Sequence, residues 1–249
     1  MTIHPTAIVE DGVQLGAGCV IHPYAVVKRG TVLGEGVAVH PFAVVGGDPN
    51  FLKFDPATVS GTRIGAGTVI REHASINRSI YAGKDTVVGA RCFLMANAHV
   101  GHDCAVGDDV VFATNVMLGG HVDVGHFTFL GGGAGVHQFC RIGEGVMVAG
   151  LARITQDLAS FLLVAERNEV AGLNLVGLKR RGVPREAIAE IKDCFRVVFA
   201  GGDPRKAAAV RLAAGVKNAE ARRFLEFFAG GKRGFARPGG SPGTAAESD

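Results

Sequence analysis

One short segment of the chain concentrates side chains that could move a proton. It reads Asn-Ala-His-Val-Gly-His-Asp-Cys over residues 97–104, so two histidines and a carboxylate fall within five residues. Asp103 directly follows His102, and an adjacent carboxylate can fix the tautomer of an imidazole and support its protonated form. His121 follows Asp103 at three times the period of the six-residue repeat described below. The segment predicts a general base, His102, paired with Asp103.

A second group of candidate residues lies further along the chain. Three consecutive glycines occupy residues 131–133, and bare backbone N–H groups there could stabilise an oxyanion or simply form a tight corner. His137 and Gln138 follow shortly afterwards. A base at His102 and backbone N–H donors at the glycines could together serve a reaction that passes through an oxyanion.

The composition excludes several classes of protein. Glycine accounts for 37 of 249 residues, but no strict every-third-residue pattern occurs and 47% of residues are apolar, so collagen and a disordered chain are both excluded. The longest strongly apolar stretch, residues 158–165, is too short to span a bilayer. The N-terminus lacks the form of a secretory signal, and the five cysteines include no Cys-x-x-Cys pair. We therefore expect a cytoplasmic protein without an integral membrane segment.

A six-residue repeat accounts for much of the glycine. Every sixth residue from Ile3 to Val45, and again from Ile64 to Ile154, is Ile, Val, Leu or Phe at 23 of 24 positions, and Ala82 is the remaining one. Histidine-proline pairs near the N-terminus recur at every third hexad, which indicates three hexads per coil. The pattern predicts short parallel strands stacked about 4.8 Å apart in a three-sided prism.

Interruptions of this repeat divide the chain. The phase slips by one between Val45 and Ile64, which predicts an excursion loop at 46–63. The prism is expected over 1–157, a connecting segment over 158–182, a helical domain over 183–230 and a flexible tail over 231–249.

Charge is unevenly distributed along the chain. Residues 1–178 carry 11 basic and 15 acidic side chains, whereas residues 179–237 carry 15 basic and 6 acidic ones. The helical module could therefore attract an acidic partner, and nucleic acid is disfavoured because few aromatic residues are positioned to stack bases.

Four motifs in order make the chain resemble a known family. They are residues 97–104, Gly119-Gly120-His121-Val122, Val136-His137-Gln138-Phe139, and the segment Asn-Leu-Val-Gly-Leu-Lys-Arg-Arg-Gly over 174–182. Together they resemble the UDP-N-acetylglucosamine 3-O-acyltransferases of lipid A biosynthesis, and the likeness covers nearly the whole chain. The resemblance implies a mainly β fold, a left-handed parallel β-helix of hexapeptide repeats followed by a C-terminal α-helical domain.

The resemblance also implies roles for individual residues. His102 would deprotonate the sugar 3-hydroxyl with Asp103 as its partner, and the Gly132 N–H would stabilise the oxyanion. The sugar and acyl sites would be lined by His99, His121, His137 and Gln138, and the nucleotide would face Asn174, Arg180 and Arg181. Lys53 would reach in from the loop, and Gly150 would set the acyl length by leaving the groove open.

The same resemblance names the expected partners. The donor would be a 3-hydroxyacyl chain on the phosphopantetheine of acyl carrier protein, the acceptor a UDP-sugar, and the assembly a homotrimer with sites between subunits. No metal and no separate cofactor are expected.

Three positions depart from the family pattern. Phe51 stands where the family's loop commonly has an aspartate, Asn77 where it often has histidine, and Val176 where it has an acidic residue. These departures leave the acceptor open between a 3-hydroxyl sugar, a 3-amino analogue that would give an N-acyl product, and another nucleotide sugar.

Three other functions remain possible on the sequence. A γ-type carbonic anhydrase would hold zinc on three histidines, and His121 and His126 have a suitable spacing, but Asp85 stands 36 residues upstream of His121, where the third would be needed. A coenzyme A-dependent acetyltransferase would share the fold and use no carrier protein. A non-enzymatic paralogue would use the β-helix for assembly or binding alone.

Overall fold

The computed structural model describes residues 1–239, so residues 240–249 of the expected tail lie outside it. Its strands are β1 (Thr2–Ile3), β2 (Ile8–Val9), β3 (Gln14–Leu15), β4 (Val20–Ile21), β5 (Val26–Val27), β6 (Thr31–Leu33), β7 (Ala38–Val39), β8 (Val44–Gly47), β9 (Gly61–Ile64), β10 (Val69–Ile70), β11 (Ser75–Asn77), β12 (Asp85–Val88), β13 (Phe93–Leu94), β14 (His99–Val100), β15 (Ala105–Val106), β16 (Val111–Phe112), β17 (Met117–Leu118), β18 (Asp123–Val124), β19 (Phe129–Leu130), β20 (Gly135–Val136), β21 (Arg141–Ile142), β22 (Met147–Val148), β23 (Arg153–Ile154), β24 (Leu162–Ala165), β25 (Glu169–Leu173) and β26 (Arg237–Pro238). Its helices are α1 (Leu175–Arg180), α2 (Arg185–Phe199), α3 (Pro204–Ala213) and α4 (Ala219–Glu226), followed by a 3₁₀ turn at Phe227–Ala229.

Three parallel sheets form the sides of the predicted prism. The first 23 strands pass from sheet to sheet in rotation, so that β1, β4 and β7 lie in sheet A, β2, β5 and β8 in sheet B, and β3, β6 and β9 in sheet C. Away from two interruptions, paired residues lie 18 apart, as in Val9↔Val27 and Val88↔Val106. The aliphatic residue of each hexad forms an inward column that is buried from Ile21 onward except in the loops, and the residue two positions before it, as at Cys19 and Val37, is buried as well. The parallel β-helix expected from the repeat is confirmed.

Two loops leave the prism between paired strands. The first occupies 48–60, because 46–47 and 61–63, assigned to the loop on sequence, belong to β8 and β9. The second occupies 78–84, where strand partners lie 24 apart instead of 18, as in Ile70↔Leu94. Ala82 is exposed in this second loop and fills no inward position. The placement of Ala82 in the repeat is therefore wrong, because an insertion of six residues keeps the period unchanged.

The sheets continue past residue 157, where the prism was expected to end. Strand β24 pairs in parallel with β22, and Phe161 and Leu162 are completely buried. Strand β25 turns back antiparallel to β24 and pairs with β26. Part of the segment expected as a flexible tail is thus built into sheet A, since Phe235 and Ala236 are buried as well.

A buried ion pair connects the helices to the prism. Asp157 is fully buried and receives hydrogen bonds from the backbone N–H and the Nε of Arg141, both at 2.9 Å. The Arg141 guanidinium also donates to the Phe227 carbonyl and lies 4.4 Å from the centre of the Phe227 ring.

In the part of the chain that the structure describes, no helix has both the length and the apolar character needed to cross a membrane.

Candidate active site

The candidate base sits at the corner where β14 of sheet B turns into β15 of sheet C. Asp103 adopts φ +59°, a left-handed conformation that Asp tolerates better than most residues and that bends the chain sharply. This bend turns both side chains to the same side, so that Nδ1 of His102 lies 2.8 Å from Oδ2 of Asp103. Both side chains are largely buried, with 14% and 9% of their surface exposed. The contact engages Nδ1, and Nε2 has no hydrogen-bond partner among residues 1–239.

The environment of Asp103 keeps its carboxylate charged. Burial alone would raise its pKa, but hydrogen bonds from the Ser79 hydroxyl, from His102 and from the Ile80 N–H lower the pKa below its usual range. An ionised acceptor at this place favours the tautomer in which Nδ1 of His102 carries the proton. Nε2 is then the basic nitrogen.

The neighbouring coil holds the imidazole ring in place. Gly120 lies one coil beyond His102, and a Cβ built there would come within 2.6 Å of two ring atoms. The His121 ring meets the His102 ring edge-on, with centres 5.0 Å apart, and stacks at 4.5 Å on Phe139. Phe51, from the first loop, lies 6.2 Å away on ring centres. The base therefore has a fixed orientation between two coils and a loop.

A groove of about 530 Å³ opens beside His102 along sheet B. Four residues predicted to act in the site line it: His99, His102, His137 and Gln138. Asn50 and Asn77 line it as well, and Met117, Gly135 and Arg153 contribute outward-facing positions of successive strands. The structure thus brings together the base and three residues expected to line the sugar and acyl sites.

Two histidines near this groove are held in the neutral state. Burial, with a smaller contribution from the neighbouring His102, lowers the pKa of His99, whose Nδ1 lies 2.8 Å from the Ser75 hydroxyl. Burial also lowers the pKa of His121, against an opposing influence of Asp103. Neutral imidazoles at these places can donate or accept hydrogen bonds to a sugar without adding charge.

The residues expected at the nucleotide lie on another side of the prism. Asn174, Val176 and Arg180 line an apolar pocket of about 580 Å³ against sheet A, together with Phe129 and Met147. The Asn174 side chain accepts from the Gly177 N–H at 2.9 Å and donates to the Gly145 carbonyl at 3.0 Å, so it caps α1.

Arg181 is also engaged within the fold. It forms an ion pair with Glu144, and its guanidinium lies 4.2 Å from the centre of the Phe127 ring. Only 22% of its side chain is exposed. Arg180, next to it, is exposed and is the cation that the structure leaves available at this pocket.

Comparison with known proteins agrees with this architecture. Residues 157–236 match a family model described as "Udp N-acetylglucosamine O-acyltransferase; Domain 2", and residues 85–120 match the bacterial transferase hexapeptide repeat. The acyl-[acyl-carrier-protein]–UDP-N-acetylglucosamine O-acyltransferase of Anaeromyxobacter sp. (strain K) is 38% identical over 95% of this chain and 100% of its own length. The chain belongs to the UDP-N-acetylglucosamine O-acyltransferase family.

Solved structures of this family share the whole fold. The UDP-N-acetylglucosamine O-acyltransferase from Moraxella catarrhalis superimposes with a TM-score of 0.88 at 31% identity, covering 95% of this chain and 100% of that one. The acyltransferase from Campylobacter jejuni gives 0.83 at 32% identity, with 95% and 99% covered. The fold is accordingly the left-handed parallel β-helix with C-terminal helices that the sequence predicted.

The two glycines predicted to serve the family's acyl site lie apart from the base. Gly132 and Gly150 stack as expected, since a Cβ on Gly150 would lie 3.2 Å from the Gly132 carbonyl oxygen. They occupy the corner between sheets A and B, whereas His102 occupies the corner between sheets B and C. Within one chain the structure does not bring the Gly132 N–H to His102.

Gly120 is the residue that sequence reasoning missed. It lies against the His102 ring, lines the same groove, and its N–H has no acceptor among the described residues. The sequence did contain a signal for this contact. Gly120 follows His102 by three hexads, which is one full coil, so the two residues stack. Gly132 follows His102 by five hexads, which is not a whole number of coils, so it lies at a different corner.

Lys53 is exposed on the first loop and does not line the groove, although Asn50 of the same loop does. Arg78 holds the loop through hydrogen bonds of 2.9 Å to the Asp48 carboxylate and to the Pro56 carbonyl. Arg78 therefore anchors this loop beside the groove, and Lys53 lies outside the residues that line the groove.

The ligand atoms of His102, Asp103 and His121 lie within 4.8 Å of one another, close enough to hold a metal ion. Both Asp103 oxygens, however, already accept hydrogen bonds, from Ser79 and from Ile80. His126, the histidine that a carbonic anhydrase would need, is elsewhere and accepts the Asp108 N–H at 2.8 Å through Nδ1. The donor set fits a hydrogen-bonded base better than a zinc site.

Proposed function

We propose that this protein transfers a 3-hydroxyacyl chain from acyl carrier protein to the 3-position of UDP-N-acetylglucosamine or a close analogue, the first step of lipid A biosynthesis. One observation carries the proposal: the buried His102–Asp103 pair, with Nε2 of His102 unpaired among the described residues, borders a groove in a chain similar along its length to enzymes named for this reaction.

The proposed reaction needs one base and one oxyanion donor. Nε2 of His102 takes the proton of the sugar 3-hydroxyl while Asp103 stabilises the imidazolium. The sugar oxygen attacks the thioester carbon, and the tetrahedral intermediate collapses as the C–S bond breaks. The imidazolium then returns its proton to the phosphopantetheine thiolate, so that ester and free thiol leave with no net proton change. No separate cofactor is required.

We assign the oxyanion donor to Gly120 in preference to Gly132. Its N–H has no acceptor among residues 1–239 and lies one coil from His102, and the absence of a side chain lets the imidazole rest against it. A preorganised backbone N–H at this place favours the charge that develops on the thioester oxygen. Gly150 remains proposed to set the acyl length, since a glycine there leaves the groove open for a longer chain, and Gly132, which stacks on it, is proposed to continue the same groove.

A homotrimer would join the two halves of the site. The base lies beside sheet B and Arg180 beside sheet A, so a nucleotide sugar reaches both if one subunit's groove faces its neighbour's pocket. Subunit mixing tests this arrangement. H102A and R180A chains, unfolded and refolded together, should regain turnover at low UDP-sugar that neither variant shows alone, and a mixture no better than its parents would contradict a shared site.

Asn77 favours a second acceptor, the 3-amino sugar. Its side chain is 6% exposed and lines the groove, its amide donates to the Asp48 carbonyl at 2.8 Å, and its Oδ1 is buried without a partner among the described residues. A hydroxyl has one proton, which goes to His102, whereas a neutral amine has two and can also donate to Asn77. Because Oδ1 is buried, this bond requires the Asn77 side chain to turn toward the groove, and an acceptor of this kind would then satisfy the otherwise costly unpaired oxygen.

The deciding experiment measures acyl transfer from 3-hydroxyacyl carrier proteins of several lengths to UDP-N-acetylglucosamine and to its 3-amino analogue. Transfer to the hydroxyl sugar supports the first acceptor, and selective transfer to the amine supports the second. No transfer to either would overturn the acceptor assignment. Acetyl-CoA, supplied in place of carrier protein, should give no product, since a coenzyme A-dependent enzyme would use it.

The basic helical module is proposed to dock the acidic carrier protein. Residues 179–237 carry a net charge of +9, opposite in sign to the partner. Transfer from carrier protein should accordingly weaken steeply with salt. A cytoplasmic location, where acyl carrier protein is found, completes the proposal.

A further inference from the structure

The second loop, residues 78–84, lies directly against the candidate base. It leaves the prism after β11 and returns at β12, and β11 pairs with β14, which leads into His102. The register Ile76↔Val100 puts the start of this loop beside Gly101 and the corner that follows it. The loop is therefore placed to contact Asp103 from the neighbouring coil.

Ser79 of this loop donates its hydroxyl proton to Oδ1 of Asp103. The Ser79 side chain is fully buried, and its oxygen accepts the Tyr81 N–H at 3.0 Å, which fixes the hydroxyl. The Tyr81 carbonyl, at 3.4 Å, is a more distant and uncharged alternative acceptor for that proton. The carboxylate is thus the favoured acceptor, because hydrogen bonds to an ionised group are the stronger ones.

Two backbone contacts complete the hold on Asp103. The Ile80 N–H donates to Oδ2 at 3.2 Å, and the Asp103 N–H donates to the buried Thr86 hydroxyl at 2.8 Å. With Ser79 on Oδ1 and His102 on Oδ2, the carboxylate cannot rotate without breaking several hydrogen bonds. The plane of the carboxylate, and with it the direction in which Nδ1 of His102 must donate, is fixed.

We propose that Ser79 is a positioning residue for the reaction: its hydroxyl holds the Asp103 carboxylate in the plane that keeps the Nδ1 proton on His102. This inference rests on the proposed function only in taking His102 as the base. The second loop then has a purpose in the fold, since it brings a buried donor to a carboxylate that the regular coil could not reach.

The test compares S79A with a matched control, S60A. Ser60 is a nearby serine whose hydroxyl donates to the backbone carbonyl of Ser79 at 2.6 Å without touching Asp103. We expect S79A to lower kcat about tenfold, the loss of roughly one charge-assisted hydrogen bond, with the KM for UDP-sugar unchanged. S60A should stay within twofold of wild type, and S79T, which keeps the hydroxyl, should recover most of the rate.

A second readout separates positioning from general loss of structure. In histidine-labelled protein, the ¹⁵N shifts of His102 should show one dominant Nδ1–H tautomer in wild type and S60A, and a mixture in S79A. An unchanged tautomer with unchanged kcat in folded S79A, or an equal kcat loss in S60A, overturns the inference. The tautomer measurement needs no turnover, so it still decides the role of Ser79 if wild type fails to transfer an acyl chain.

Discussion

The groove beside sheet B and the pocket beside sheet A use polar residues in opposite ways. In the groove, the Ser79 hydroxyl bonds to Asp103 and Asp103 bonds to Nδ1 of His102. Nε2 of His102 has no partner among the described residues. At the pocket, Asn174 caps a helix and Nη2 of Arg181 pairs with Glu144, so most of their polar atoms are engaged within the fold, although Nη1 of Arg181 is buried without a partner among the described residues. A residue type suited to binding identifies a binding residue only where its polar atoms are both free and exposed. We therefore propose that Arg180, which is exposed at the pocket, faces the nucleotide, and that Arg181 serves the fold.

The largest effect is expected from removing the base. H102A should lower kcat by about 10²- to 10⁴-fold, the usual contribution of a positioned general base, while thermal unfolding stays close to wild type. His4→Ala, at an exposed corner of the first coil, provides the control and should leave the rate unchanged. Activity of H102A within tenfold of wild type would show that the groove contains another base.

A single methyl group distinguishes the two glycines. In G120A the new Cβ would lie within 2.6 Å of the His102 ring and must displace it, so kcat should fall by about 10²-fold. In G132A the nearest atom would be the Thr114 carbonyl at 3.4 Å, an ordinary contact, and the rate with a short acyl donor should change little. Both variants keep the backbone N–H, so steady-state kinetics of the pair test the steric contact with His102, and the reverse order would contradict the placement of Gly120 against the base.

The two adjacent arginines should separate stability from binding. R181A breaks a largely buried ion pair and should lower the free energy of unfolding by about 1–3 kcal/mol, measured by denaturant titration. R180A removes an exposed side chain and should leave stability unchanged while raising the KM for UDP-sugar. If R181A is as stable as wild type but binds UDP-sugar poorly, the division between fold and site proposed for this pocket is wrong.

The smallest effect concerns the charge on Asp103. Because its pKa is lower when folded than when unfolded, ionised Asp103 stabilises the protein above the unfolded value of about 3.9, and this contribution disappears as pH falls through the folded pKa. The difference in unfolding free energy between wild type and D103N should therefore be flat from pH 7 to about pH 5 and shrink only in more acid solution. A difference that declines already between pH 7 and 6 would contradict a charged, hydrogen-bonded carboxylate.

The repeat shows how far sequence arithmetic reaches. Its period predicted the inward column, and the separation of three hexads predicted that His121 lies beside the Asp103 corner. The same arithmetic overlooked the second loop, because six extra residues restore the phase and an alanine there passes for a core residue. Ser79, which this loop carries to Asp103, was overlooked with it.

The sequence by itself determined the coil, the helical module and the pairing of His102 with its neighbour Asp103. Each is encoded locally, by a period or by adjacent residues, and can therefore be predicted without knowing which distant residues pack against it. Only the tertiary structure decided that Gly120 and not Gly132 touches the base, that Ser79 holds Asp103, and that Arg181 is occupied by Glu144. These contacts join residues that are far apart along the chain, and whether a polar atom is free depends on which distant group packs against it.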